Sequence, residues 1–155
     1  MKNIWAPWRV DYILSSENKD CIFCEAIKMD DPLILKKGEF CFSIMNRYPY
    51  TTGHCMIAPY RHTAAIEDLN EDESVEITSM IKEIVSAIKV AMKPHGFNIG
   101  CNEGSVAGAG VKTHIHIHIV PRWEGDTNFM PVLADVHMIS EHIMETRNKI
   151  KGGLP

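Results

Sequence analysis

The chain has 155 residues and a formal net charge of −4, and 45% of its residues are hydrophobic. This length predicts one domain over 1–155, and the acidic balance argues against a nucleic-acid partner, which needs a basic face. No run approaches the roughly 18 apolar residues that span a membrane, and the N-terminus lacks the apolar stretch of a signal peptide. Five cysteines without such a signal favour a reduced, cytoplasmic protein.

The first third of the chain predicts a short helix followed by a strand hairpin. Residues 1–20 form an irregular N-terminal extension in which Trp5, Pro7, Trp8 and Tyr12 are candidate anchors. A helical turn is predicted over Cys21–Met29, and Asp30-Asp31-Pro32 stops it. Three strands are then expected over Leu33–Lys36, Glu39–Met45 and Gly53–Pro59, with Gly38 joining the first two.

The clearest helix of the sequence covers Glu71–Lys93. Its isoleucines recur at helical spacing, Asn70 with Glu73 makes a capping arrangement, and Pro94 ends it. A strand over Phe97–Asn102 follows. Weaker helical spacing runs over Val132–Lys151, within a C-terminal helical extension over 132–155. Strands, one long helix and further strands indicate an α+β fold, an antiparallel sheet with helices on one face.

One stretch, Thr113–Pro121, reads THIHIHIVP and alternates three histidines with three isoleucines. Successive side chains of a strand point to opposite faces, so the pattern places three imidazoles on one face, roughly 7 Å apart. A solvated strand face seldom carries histidine, whereas imidazole ligates metals, donates hydrogen bonds and attacks phosphorus. We therefore interpret this face as a chemical site with a division of labour among the three rings.

The pair Cys21-x-x-Cys24 has tight metal-ligand spacing, but it needs two further ligands. A redox pair and an unligated pair are the alternatives. No strand-helix-strand context of the thioredoxin type surrounds the motif, which disfavours the redox interpretation.

The pattern His-φ-His-φ-His-φ-φ, with φ apolar, resembles the signature of the histidine-triad (HIT) superfamily, and Thr113–Val120 matches it throughout. Met45–His62 resembles the central strand-turn-strand of the family, and Asn98–Gly110 its phosphate-side loop. Ile4–Arg9 and Arg122–Pro131 resemble its diadenosine-tetraphosphate (Ap4A) phosphorylase branch. The resemblance implies a HIT-like fold, a five-stranded antiparallel sheet with one long helix and shorter terminal helices, in a homodimer.

The resemblance also implies roles for individual residues. His116 corresponds to the nucleophile, which would form a nucleotidyl-histidine intermediate, and His118 to the residue that bonds the phosphate and the leaving group. Asn102 corresponds to a residue at the bridging phosphates, and Asn46 to one at the ribose hydroxyls, although it also suits a turn. Ile44 would lie under the base, and Gly108, Ala109 and Gly110 would cradle the α-phosphate. The family commonly has Gln-Ser or Gln-Thr where this chain has Ala109-Gly110, so one side-chain donor is missing.

Zinc-bearing HIT proteins complete a CxxC pair with two histidines, which map onto His62 and His114. Together with Cys21 and Cys24 they would make a closed Cys₂His₂ site for a structural Zn²⁺. His54 is interpreted as a core histidine or as one that supports the site.

Two classes of function remain. The favoured one is an enzyme that cleaves adenine dinucleoside polyphosphates, Ap4A phosphorolysis above all, with hydrolysis of dinucleoside polyphosphates or adenosine phosphoramidates as alternatives. The other is a non-catalytic module that binds AMP or ADP. The central His116 argues against it, because a pure binder needs no nucleophile. A catalytic metal on the three histidines is a third idea, and it would leave the cysteine pair unexplained.

Overall fold

A computed structural model describes residues 21–126 and 139–155. The predicted N-terminal extension, residues 1–20, and residues 127–131 of Arg122–Pro131 lie outside these ranges. The elements follow in the order α1 (Ile22–Lys28), β1 (Ile34–Lys37), β2 (Cys41–Met45), β3 (Cys55–Pro59), α2 (Glu71–Met92), β4 (Gly96–Gly100), β5 (Ile117–Arg122) and α3 (Ile143–Lys151). Among the described helices, none has the length and apolar character needed to cross a membrane.

The five strands form one antiparallel sheet in the order β1-β2-β3-β5-β4. The α+β prediction with a five-stranded antiparallel sheet is therefore confirmed. Directly opposed residues of an antiparallel pair point to the same face, and Ile57 opposes Ile117 while Met56 opposes His118. One face therefore carries the isoleucines of β5, and the other carries His118.

The long helix α2 covers the isoleucine face. It packs against β2, β3 and β5, and its Ile84 and Ile88 are fully buried together with Ile57 and Ile119. The predicted cap is present. Asn70 accepts a hydrogen bond from the Glu73 amide, and the Glu73 carboxylate accepts one from the Asn70 amide. Helix spacing and capping thus place this element where the sequence predicts it.

The histidine strand is shorter than predicted. The sequence indicates a strand from Thr113, but β5 begins at Ile117. The register that sets Ile57 opposite Ile117 would set Pro59 opposite Ile115, and proline has no N–H for the ladder. The Ile115 amide instead donates to the Thr63 carbonyl at 2.7 Å. His114 and His116 therefore precede the ladder on a segment held by other bonds.

Two helices also differ from the sequence prediction. The interpretation with helices on one face is wrong for α1, because its Phe23 contacts Phe42 and His116 on the histidine face. Of the predicted C-terminal helix Val132–Lys151, residues 139–142 are not helical and α3 covers Ile143–Lys151, while residues 132–138 lie outside the described ranges. The His142 ring caps α3 by accepting from the Met144 amide. The strand predicted to end at Asn102 ends at Gly100, which leaves Asn102 on the loop.

A half-buried carboxylate joins α2 to the β1–β2 hairpin. Glu76 accepts hydrogen bonds from the three consecutive amides of residues 39–41, at 2.6 to 2.8 Å. Burial alone would raise the pKa of Glu76, but these donors more than offset it, so that this pKa lies below its usual range. A Cβ at Gly38 would overlap this carboxylate and approach Met80 Cε to 2.6 Å, so a larger residue there would displace the Glu76 and Met80 side chains.

We expect Glu76→Gln to lower the free energy of unfolding by about 1–3 kcal/mol at pH 7, because glutamine has only one acceptor oxygen and leaves one or two of these three backbone amides unpaired. Glu83→Gln on the same helix is the matched control. Among the residues that the structure describes, Glu83 pairs with the partly exposed Lys36, so less than about 1 kcal/mol is expected. Urea unfolding of both variants measures the difference, and equal losses would contradict the prediction.

Candidate active site and metal centre

The three histidines of the triad lie on the face opposite α2. His114 and His116 are 1% and 4% exposed, and His118 is half-buried beside them. The ring centroids of His116 and His118 are 4.8 Å apart, closer than the spacing of their backbones. Burial lowers the pKa of all three rings, that of His118 to about 4 with a contribution from His116. The rings are therefore neutral near pH 7.

The tautomer of His116 follows from one hydrogen bond. Its Nδ1 lies 2.8 Å from the His114 carbonyl oxygen, which only accepts, so Nδ1 carries the proton and donates. The second ring nitrogen, Nε2, then keeps a free lone pair. A neutral imidazole with its other nitrogen tied to a carbonyl is the form that attacks an electrophile. The geometry of His116 thus suits nucleophilic chemistry.

A second chain of hydrogen bonds sets the tautomer of His118. The Tyr50 amide donates to His54 Nδ1 at 3.1 Å, so the neutral His54 carries its proton on Nε2. That Nε2 lies 2.9 Å from His118 Nδ1 and donates to it. His118 therefore presents an N–H at its own Nε2. His54, interpreted from the sequence as a core or supporting histidine, is fully buried and orients His118.

The burial of His54 predicts a loss of stability in acid. Burial, aided by His118 and His116, lowers the pKa of His54 to about 3. Above pH 6.5 the His54 ring is neutral in both the folded and the unfolded chain, and its full contribution to the free energy of unfolding is present. Between pH 6.5 and about 3 only the unfolded chain takes up the proton, which lowers the free energy of unfolding by about 2 kcal/mol at pH 5.

Urea unfolding at pH 7, 6 and 5 measures this slope. His54→Gln removes one of the four rings whose pKa is lowered by burial, so it should reduce the loss between pH 7 and 5 by about 2 kcal/mol while the triad histidines keep their share. An unchanged slope in His54→Gln would show that other groups cause the acid loss.

The loop after β4 holds the next group of predicted residues. Gly108 has a positive φ of 86°, and a Cβ there would lie 3.9 Å from Asn102 Nδ2, so the two are neighbours. The amides of Gly108 and Ala109 donate within the loop to Ser105 and Gly104 carbonyls. The amides of Gly108 and Ala109, which the family resemblance places at the α-phosphate, thus close a turn of the loop in this structure. Gly110 is exposed.

Asn46 and Ile44 lie at the end of β2. Asn46 Oδ1 accepts from the Tyr48 amide at 2.9 Å, and its Nδ2 lies 3.3 Å from His54 Nδ1. Asn46 thus stabilises a turn, which was the alternative to the ribose contact in the interpretation of the sequence. Ile44 is buried opposite Met56, on the same face as His118.

An open cavity of about 910 Å³ adjoins His118. Its wall includes Asn98 and Gly100 of β4, Asn102, and Arg122 at the end of β5. Arg122 is held by Asp126 and Asn98. Such a volume accommodates a ligand the size of a nucleotide. A ligand in this cavity would therefore contact His118.

The four predicted metal ligands form one cluster. The sulfurs of Cys21 and Cys24 and one ring nitrogen each of His62 and His114 all lie within 4.8 Å of one another. Cys21 Sγ is 3.2 Å from His114 Nδ1, and Cys24 Sγ is 3.4 Å from His62 Nδ1. His114 Nε2 donates to the Pro59 carbonyl at 2.9 Å, as the outer nitrogen of metal-bound histidines usually does. The cluster is therefore fit to hold a metal ion.

Comparison with known proteins gives a consistent result. A family model described as the HIT domain matches residues 29–125. The chain is 34% identical over 158 residues to the AP-4-A phosphorylase of Mycobacterium tuberculosis, covering 95% of this chain and 81% of that protein. A histidine triad nucleotide-binding protein from Sulfolobus tokodaii superposes with a TM-score of 0.71 at 26% identity, covering 86% and 91% of the two chains. A zinc-bound histidine triad family protein from Mycobacterium smegmatis has a TM-score of 0.71 at 25% identity, covering 86% and 92%.

Proposed function

This chain belongs to the HIT domain family, and on that premise we propose that it cleaves adenine dinucleoside polyphosphates, with Ap4A phosphorolysis as its favoured reaction. The observation that carries the proposal is the tautomer of His116, whose Nδ1 proton is held by the His114 carbonyl while Nε2 is free to attack. Similarity to an AP-4-A phosphorylase supports the choice of substrate.

In the proposed first step, His116 Nε2 forms a bond to the α-phosphorus while the bond from that phosphorus to the bridging oxygen breaks. ATP leaves, and His118 Nε2–H donates a hydrogen bond to the departing oxygen. In the second step inorganic phosphate attacks the AMP group, the phosphorus–nitrogen bond breaks, and ADP leaves. Water in place of phosphate would release AMP.

The remaining assignments concern substrate binding. We propose that Asn102 contacts the bridging phosphates, since it lies on the wall of the same cavity as His118. Gly108, Ala109 and Gly110 would face the α-phosphate, Ile44 the base, and Asn46 the ribose. The internal bonds of the loop and of Asn46 would then open or be shared when the nucleotide binds.

We propose that the metal of the Cys₂His₂ cluster is zinc. Zinc bonds of about 2.3 Å to sulfur and about 2.0–2.1 Å to nitrogen, at tetrahedral angles, imply sulfur–nitrogen separations of about 3.5 Å. The separations of 3.2 and 3.4 Å agree. When bound, zinc would cross-link α1 to the sheet. The two thiols must stay reduced to bind it, which suits the expected cytoplasmic location.

Product analysis tests the reaction. Purified zinc-loaded protein is incubated with Ap4A, with and without inorganic phosphate, and the nucleotides are separated. Phosphorolysis gives ADP and ATP only when phosphate is present, and labelled phosphate enters the β-position of ADP. AMP and ATP without phosphate would indicate a hydrolase. Tight binding of AMP without any turnover would favour the non-catalytic module and overturn the proposal.

We further propose a homodimer. Strand β4 is an edge strand that pairs, within the described residues, with β5 alone, and its Ile99 is 45% exposed. An apolar edge of this kind readily pairs with a second copy. Sedimentation should give a mass of twice 17.5 kDa at micromolar concentration, and Ile99→Lys should weaken the association. A single 17.5 kDa species for the wild type would contradict the proposal.

A further inference from the structure

The aromatic ring of Phe23 lies between the metal cluster and the nucleophile. Its centroid is 5.2 Å from that of His114 and 4.8 Å from that of His116, and the side chain is 1% exposed. Among the ring contacts of the described residues, Phe23 is the only phenylalanine that touches a triad histidine. Its place in the sequence is equally specific, since it stands between the two cysteines of the CxxC pair.

The helix that carries this ring needs an anchor. Seven residues make a marginal helix in isolation, and α1 has no side-chain hydrogen bond at its N-cap, Cys21. Its first turn instead presents the Cys21 sulfur to His114 and the Cys24 sulfur to His62. The metal ligands thus fix the part of α1 from which Phe23 projects.

The nucleophile needs a second constraint besides its hydrogen bond. The bond from His116 Nδ1 to the His114 carbonyl sets the tautomer, but one hydrogen bond does not by itself prevent rotation of the ring about it. The Phe23 ring packs against the imidazole at a tilt of 39°, and the His118 ring contacts it edge-on, so these two rings limit its rotation. Small errors in the placement of a reacting atom reduce rates about 10²-fold.

We propose that Phe23 is a positioning residue for His116, held in place by the cysteines on either side of it. The inference rests on the proposed role of His116 as the nucleophile. The metal centre then contributes to the orientation of Nε2 through the chain of contacts from Cys21 and Cys24 to α1, Phe23 and His116. No step of the reaction passes through the metal.

Phe23→Leu in the zinc-loaded protein tests the proposal, and Phe42→Leu is the matched control. Phe42 is fully buried and contacts Phe23 and Tyr60, but no histidine ring, so both variants should melt at similarly reduced temperatures. We expect Phe23→Leu to lower kcat about 10- to 100-fold with KM within about threefold of the wild type. Phe42→Leu should keep kcat within about threefold. Phe23→Met, which fills the space without a flat ring, replaces Phe23→Leu if that variant does not fold.

The NMR signal of the His116 ring is the readout that does not depend on activity. In protein labelled with ¹⁵N-histidine, the wild type and Phe42→Leu should show one sharp Nδ1–H resonance for His116. In Phe23→Leu this resonance should broaden and exchange faster with water. An unchanged resonance with unchanged kcat and a raised KM would make Phe23 a binding residue and overturn the proposal. The proposal would also be overturned if Phe23→Leu lost its zinc and added zinc restored kcat, because Phe23 would then act only on metal binding. If Ap4A is not turned over at all, the proposed function fails, while the His116 resonance still decides the role of Phe23.

Discussion

His116→Asn should lower turnover of Ap4A by more than about 10⁴-fold while nucleotide binding persists. Asparagine retains a hydrogen-bonding group in the same space, so the substrate can still dock, but it offers no nitrogen that forms a bond to phosphorus. Help from a general acid or base is typically worth about 10²–10⁴-fold, and the loss of a covalent intermediate should exceed this range. Steady-state kinetics and titration calorimetry with a non-cleavable analogue measure the two effects separately.

His118→Asn is the matched control for this prediction. His118 donates from an N–H that His54 orients, so its loss should fall within about 10²–10⁴-fold. Wild-type protein quenched during turnover should also carry AMP on His116, through a bond that is labile in acid and stable in alkali. If His116→Asn kept a tenth of the wild-type turnover, His116 would not be the nucleophile, and direct attack by phosphate or water would have to be considered.

The parts of the fold that depend on local pattern could be predicted from the sequence. Helix α2 was predictable because its apolar spacing, its Asn70 and Glu73 cap and Pro94 all indicate the same element. The alternation of His and Ile assigns the two faces of β5 for a similar reason. The start of β5 was not predictable, because it depends on a residue of another strand, Pro59, that stands where a ladder donor is required.

The candidate site also contains residues that could be predicted and contacts that could not. The cysteine pair could be recognised from its spacing, whereas His62 and His114 were available as further ligands only through the family resemblance. The structure places the four donor atoms together. The pair His54 and His118 is separated by 64 residues, and nothing in the sequence near either one indicates the contact. The contact of Phe23 with the triad histidines could not be predicted either. A phenylalanine in a short apolar stretch looks like an ordinary core residue until its neighbours are known.

The last prediction concerns the metal. Removing the zinc that we propose at Cys21, Cys24, His62 and His114 should lower the melting temperature by about 10 °C or more. Bound structural zinc contributes its binding free energy to folding, and several kcal/mol in a chain of this size correspond to shifts of about 2–4 °C per kcal/mol. Both metal-ligating sulfurs lie at the start of α1, so the loss should begin at this helix and expose the histidine face.

Differential scanning calorimetry with and without a chelator measures the effect, and metal analysis of protein purified without chelator should give one zinc per chain. Cys24→Ala should melt at about the temperature of the chelated wild type and be insensitive to further chelator. Cys101→Ala is the control, because Cys101 is a half-buried thiol outside the cluster, so this variant should keep both its zinc and its sensitivity. If the chelated and untreated wild type melt at the same temperature and no zinc is found, the cluster is not a metal site, and the position of α1 rests on the burial of Phe23 and Ala26 alone.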